Sequence, residues 1–171
     1  GQAVTTEDFV KAMEDANGVD LSQFRVWYRQ AGTPVLDVTG DYDKSAKTFT
    51  LNVAQSCPAT PGQEEKDVYH LPLKIGLLDH EGNDIRFPVM DLDVENIDDT
   101  AGFSAVLNVS EKEQKYVFRG IESVPTPSLL RGFSAPVKLD YSYSRDDLTF
   151  LMSQDSDGFN RWEAGQRLAI D

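Results

Sequence analysis

Residues 69–78 read Tyr69-His70-Leu71-Pro72-Leu73-Lys74-Ile75-Gly76-Leu77-Leu78, with Tyr69, Leu71, Leu73, Ile75 and Leu77 on every second position. Successive side chains of an extended chain point to opposite faces, so this spacing predicts a strand with one face inward. The same period recurs on both sides. Val35, Leu36 and Val38; Phe49, Leu51 and Val53; Ile85 with Phe87; Val106, Leu107 and Val109; Tyr116 with Phe118; and Val137, Leu139, Tyr141 and Tyr143 each mark a further short strand. Gly40-Asp41, Pro58 to Gly62, Gly82-Asn83 and Pro125 to Pro127 read as the turns between them. Roughly seven short strands separated by turns predict a mainly β chain folded as an antiparallel β-sandwich. Met90 to Gly102, rich in Asp and Glu and weakly patterned, reads as a loop insertion.

The period changes to 3.6 at both ends. Thr5 or Thr6 can cap a first helix carrying Phe9, Val10, Met13 and Ala16, which Asn17-Gly18 stops. A second helix presents Leu21, Phe24, Trp27 and Tyr28 and is ended by Gly32 and Pro34. After the strands, Ser144 can cap a helix with Asp146 and Asp147 in its first turn and Leu148, Leu151 and Met152 on one side. Asp157-Gly158 breaks it, and a last helix places Phe159, Trp162 and Ala169 along one stripe. Short helices with bulky apolar faces and no partners suggest a piece of a multidomain chain that starts and stops inside helical elements.

Composition excludes several function classes. The 171 residues include 16 Lys and Arg against 29 Asp and Glu, a net charge of −13, so a nucleic acid would meet net repulsion. Cys57 is the only cysteine, which rules out an intrachain disulfide framework and points to a reducing compartment such as the cytoplasm. Apolar runs fall short of the ~20 residues that span a bilayer, so no membrane partner is expected.

No complete catalytic or metal-binding set emerges from the motifs. The two histidines are His70 and His80, and His80-Glu81 resembles the opening of a zinc-protease motif. The fifth position is Asp84, however, and Glu81-Gly82-Asn83-Asp84 is turn chemistry. His70 alternates within a strand as a polar-face residue, and Cys57 reads as an idle thiol. Asp91, Asp93, Glu95, Asp98 and Asp99, or Asp155 and Asp157 before Gly158 and Asn160, invite a calcium reading. Neither group keeps the EF-hand spacing, so solvated loop acids are expected. Asn108-Val109-Ser110 is a formal glycosylation sequon in a strand-like segment.

Four segments carry a family resemblance. Asp20 to Pro34 (DLSQFRVWYRQAGTP), through Phe24, Trp27, Gln30, Gly32 and Pro34, resembles the exit of a thermolysin-like catalytic domain. Pro58 to Gln63 (PATPGQ), Leu71-Pro72 and Gly76-Leu77-Leu78-Asp79 resemble the start of an immunoglobulin-like sandwich, and Ser128 to Leu139 (SLLRGFSAPVKL) resembles its exit. Asp147 to Ala169 (DLTFLMSQDSDGFNRWEAGQRLA) resembles the first helices of a large helical domain. In that order the segments resemble bacterial aminopeptidase N, the alanyl aminopeptidase group of zinc metallopeptidases, along nearly the whole chain.

The resemblance implies three parts: residues 1–33 as C-terminal helices of the catalytic domain, 34–142 as an immunoglobulin-like β-sandwich, and 143–171 as the first helices of a C-terminal helical domain. It implies a cytoplasmic bacterial parent that removes N-terminal amino acids from peptides with zinc. The family's His-Glu-x-x-His and Gly-x-Met-Glu-Asn segments do not occur here and would lie upstream, so the resemblance assigns no catalytic, cofactor or metal residue to this chain. The partners it implies are the catalytic and helical domains of the same chain and the parent's peptide substrates. The competing class is an independent immunoglobulin-like module that binds protein or carbohydrate.

Overall fold

The computed structural model describes residues 3–87 and 102–170. Of the loop expected at 90–102 only Gly102 is among them, so that loop and its calcium reading lie outside the described residues. Among the described residues seven strands form two sheets: β1 (Val35–Asp43), β2 (Thr48–Ser56), β3 (Leu71–Leu78), β4 (Ala105–Val109), β5 (Glu113–Arg119), β6 (Thr126–Leu129) and β7 (Lys138–Asp140). One sheet runs β5-β2-β1-β7 and the other β4-β3-β6. The pairings are antiparallel except β1 with β7, which is parallel. This is the β-sandwich expected from the two-residue period, in the immunoglobulin-like form that the resemblance implies.

The alternation that marks each strand also builds the core. Leu36, Val38, Leu51, Val53 and Phe118 from one sheet meet Leu71, Leu73, Ile75, Leu107 and Val109 from the other, all buried. On the solvent side β1 and β2 carry Asp37, Thr39 and Asn52, which need no apolar partner. On β3 the alternation breaks down: from Ile75 to Leu78 every residue is buried. The outer face of β3 is covered there by two helices, α3 (Arg145–Gln154) and α4 (Gly158–Ile170), with Leu78 packed among Leu148, Leu151 and Ala164. Removing Leu148 and Leu151 from water contributes about 1.5–3 kcal/mol each.

The helix ends follow local chemistry. Ser144 and Asp147 form a reciprocal capping box at the start of α3, and Thr5 and Asp8 do the same for α1 (Thr6–Asn17). Gly18, at φ +65°, terminates α1. The second expected helix contracts to α2 (Val26–Arg29), because residues 22–25 form turns.

Several expectations need correction. Ile85 and Phe87 form no strand. After the Asp79–Asn83 turn only the Leu78–Asp84 bridge forms, with the Ile85 amide donating to Leu77 O and the Phe87 amide to Gly102 O. Pro125 to Pro127 is no simple turn, since Thr126 and Pro127 open β6. That strand lies at a sheet edge, where a missing proline N–H is tolerated. The expected strand through Tyr143 ends at Asp140. In α4 the buried residues are Asn160 and Ala164, whereas Trp162 is 58% exposed. Along α1 only Val10 is buried, while Phe9 and Met13 face out.

Candidate functional site

Arg131 is a cation inside an apolar run, Leu129-Leu130-Arg131-Gly132-Phe133, and it is 4% exposed. Its backbone makes a tight turn in which Leu130, Gly132 and Phe133 all take positive φ, at +62°, +63° and +52°. That left-handed geometry is costly for Leu and Phe and persists only where the surroundings fix it. Arg131 does the fixing. Its Nε donates to Ser128 Oγ at 2.8 Å, its Nη1 to Ser104 Oγ at 3.1 Å, and its Nη2 to Asp84 Oδ1 at 2.5 Å and Asp155 Oδ1 at 3.3 Å.

These partners come from widely separated elements. Ser128 lies on β6, Asp84 on the turn after β3, Ser104 just before β4, and Asp155 at the end of α3. Smaller bonds tighten the same joint. Asn160 of α4 donates to Ser128 Oγ at 2.8 Å, Ser156 Oγ to Asp84 Oδ2 at 2.6 Å, and the Gly132 amide to Asp157 Oδ2 at 3.0 Å. The arrangement is a polar node that clamps the sandwich to the junction of α3 and α4.

Asp155 is the unusual member. Its side chain is wholly buried, its Oδ1 also accepts from the Asp157 amide at 2.9 Å, and its Oδ2 has no hydrogen-bond partner among the described residues. Burial pushes its carboxyl above the ordinary aspartate range, against the pull of the Ser128 hydroxyl first, then of the Asp157 amide and Arg131. The expectation that Asp155 is a solvated loop acid is therefore overturned. Asp157, by contrast, accepts from the Asn160 amide at 2.9 Å and caps the first turn of α4. Sequence reasoning met Arg131 only inside the quoted SLLRGFSAPVKL segment. The available signal was a charged residue flanked by leucines.

A second joint ties the N-terminal helices to the opposite end of the sandwich. Trp27 stacks on Tyr69 with ring centroids 4.6 Å apart, and its Nε1 donates to His70 O at 3.1 Å. Gln23 Nε2 donates to Ser110 O at 2.6 Å. Gln63 receives the Ala31 amide at 2.7 Å and donates to Arg29 O at 2.8 Å, while Gln30 receives the Asp67 amide at 2.7 Å. The loop after β2 is thereby pinned to the end of α2.

The histidines are not brought together. His70 Nε2 lies 3.4 Å from Asn108 Oδ1, and His80 is exposed, with its Nε2 4.0 Å from its neighbour Glu81. Cys57 Sγ lies 3.9 Å from the Tyr69 hydroxyl. Among the described residues no three His, Cys, Asp or Glu side chains are placed to hold a metal ion, so they do not fit a zinc site. A groove of about 360 Å³ runs between sandwich and helices, lined by Leu129, Leu130, Phe133, Val137, Phe159 and Ala164 among others. No helix of the described residues is long and apolar enough to cross a membrane.

Comparison with known proteins matches this architecture. Residues 145–171 match a family described as a domain of unknown function (DUF3458_C) with ARM repeats. The chain is 46% identical over 168 residues to Aminopeptidase N of Escherichia coli (strain K12) and of Haemophilus influenzae, covering 98% of this chain and 18% of each relative. It is 39% identical to Aminopeptidase N of Caulobacter vibrioides over 171 residues. A crystal structure of Legionella pneumophila aminopeptidase A in complex with aspartic acid superposes with a TM-score of 0.79 at 33% identity, covering 97% of this chain and 17% of that one. This chain thus spans less than a fifth of the length of the relatives it matches. Residues 32–142 match the family described as a domain of unknown function (DUF3458) with an Ig-like fold, and the chain belongs to that family.

Proposed function

We propose that this chain is the non-catalytic sandwich and joint region of a zinc aminopeptidase. It holds a catalytic domain on one side and a helical-repeat domain on the other. The observation that carries the reading is the 46% identity to Aminopeptidase N along 98% of the chain. Its two polar joints support it: one seats residues 22–31 on the sandwich, and the other seats α3 and α4. Helical repeats cannot bury their apolar faces alone, and exposed Trp162 and Met152 leave α3 and α4 with surface for a following repeat.

On this reading residues 1–33 close the catalytic domain, 34–142 form the spacer and 143–171 begin the helical domain. On the same reading, residues outside this chain would hold a zinc ion, which would supply polarisation of the scissile carbonyl and activation of water. No step of peptide hydrolysis passes through His70, His80 or the Arg131 node. The parent is read as a bacterial cytoplasmic enzyme that removes N-terminal residues from peptides, in keeping with the single cysteine.

The test is direct. The 171-residue chain on its own is expected to hold no stoichiometric zinc and to release no amino acid from alanyl or leucyl amides. Stoichiometric zinc with turnover would overturn the assignment.

A further inference from the structure

The Arg131 node has a charge imbalance that geometry alone exposes. One guanidinium nitrogen, Nη2, faces two carboxylates. Asp84 is the nearer, at 2.5 Å against 3.3 Å, and its second oxygen is taken by Ser156. Asp155 is fully buried and its second oxygen is bare. A single buried cation cannot neutralise two carboxylates, and a proton goes to the one that is less well solvated.

We propose that this node is a proton-gated joint: with Asp155 protonated the α3–α4 pair seats firmly on the sandwich, and with Asp155 ionised the seat loosens. The proton passes to bulk solvent, and no other group need change charge.

The charged and titratable groups facing Asp155 come from each element packed on it. They are Arg131 from the turn after β6, Asp84 from the turn after β3, Asp157 from the start of α4, and Tyr143 from the segment before α3. Asp157 adds to the local negative charge. Tyr143 stays neutral, because burial lifts its hydroxyl far above the ordinary tyrosine range. Arg131 is thus the one cation in the set, and it is already engaged by Asp84.

The sign follows. The folded chain holds the Asp155 proton more tightly than the unfolded chain does. The seat is therefore firm at and below the ordinary aspartate range and weakens as pH rises through the raised folded value.

Amide hydrogen exchange on the full 171-residue chain, at about pH 4, the ordinary aspartate range, and about pH 8, corrected for intrinsic rates, reads the effect. Protection of residues 145–170 relative to β3 is expected to fall by at least about threefold between the two, since a full pKa unit is worth about tenfold. In Asp155→Asn the ratio is expected to stay flat. An unchanged ratio in the wild type, or the same fall in Asp155→Asn, would overturn the proposal. If Asp155→Asn does not fold, a carbon-13 titration of the Asp155 carboxyl decides. A midpoint above the ordinary aspartate value supports the joint, and one at or below it refutes it.

Discussion

The guanidinium of Arg131 lies directly against the Cα of Gly76, on the strand whose outer face the helices cover, so that a Cβ at residue 76 would overlap the guanidinium carbon. Gly76 pairs in register with Ser128, the residue that accepts from Arg131 Nε. The glycine is needed for space, not for backbone freedom. Gly76→Ala is expected to cost about 1–3 kcal/mol, the usual range for overpacking a filled interior. Urea denaturation checks the cost. In an Arg131→Ala background most of it should vanish, because the atoms it clashes with are gone.

Removing Arg131 while keeping both acids is the harsher change. Arg131→Met leaves Asp84 and Asp155 facing each other without a cation and is expected to cost about 3–5 kcal/mol. Arg131→Lys keeps the charge but has no planar fork to serve Ser128, Ser104 and Asp84 together, so it should fall between wild type and Arg131→Met. An Arg131→Met midpoint within error of wild type would show that the node does not hold the joint.

What sequence disclosed and what it concealed divide along range. Tyr69 to Leu77 announced β3 because alternation is local, and Ser144 with Asp147 announced the start of α3 because a capping box spans four residues. Strand β6 was concealed by Pro127, which reads as a turn unless the strand is known to lie at an edge. The buried face of α4 was misread because bulk was taken as the guide. Asn160 and Ala164 fit against Ser128 and Leu78, and larger Trp162 does not go inside. The Arg131 node was out of reach. Its carboxylates lie 47 and 24 positions away, and only the fold brings them together.

Trp27 makes the opposite joint measurable. Its ring packs on Tyr69 and its Nε1–H serves His70 O, yet the side chain is only partly buried. Trp27→Ala is therefore expected to cost about 2–3 kcal/mol, below the ~3–5 kcal/mol of a fully buried aromatic. In the parent enzyme, zinc content should be unchanged while thermal stability falls. Zinc loss without a stability loss would place Trp27 in the metal site and contradict the positional role.

The N-terminal helix should respond to acid in the sense opposite to Asp155. Glu14 receives Arg25 Nη1 at 2.6 Å and Nη2 at 2.8 Å, and the Leu21 amide at 2.9 Å. The paired guanidinium first, and the Leu21 amide second, draw its carboxyl down to about 2. Because the folded value is depressed, the contribution is fully present above the ordinary glutamate value of about 4.3. It is lost as pH falls from there through about 2. A carbon-13 titration of the Glu14 carboxyl should show that low midpoint, and protection of the Thr6–Asn17 amides relative to β2 should decline over the same window. Glu14→Gln should abolish that window while leaving β2 unaffected. A Glu14 midpoint at the ordinary value would mean that Arg25 does not hold α1 to the segment that follows it.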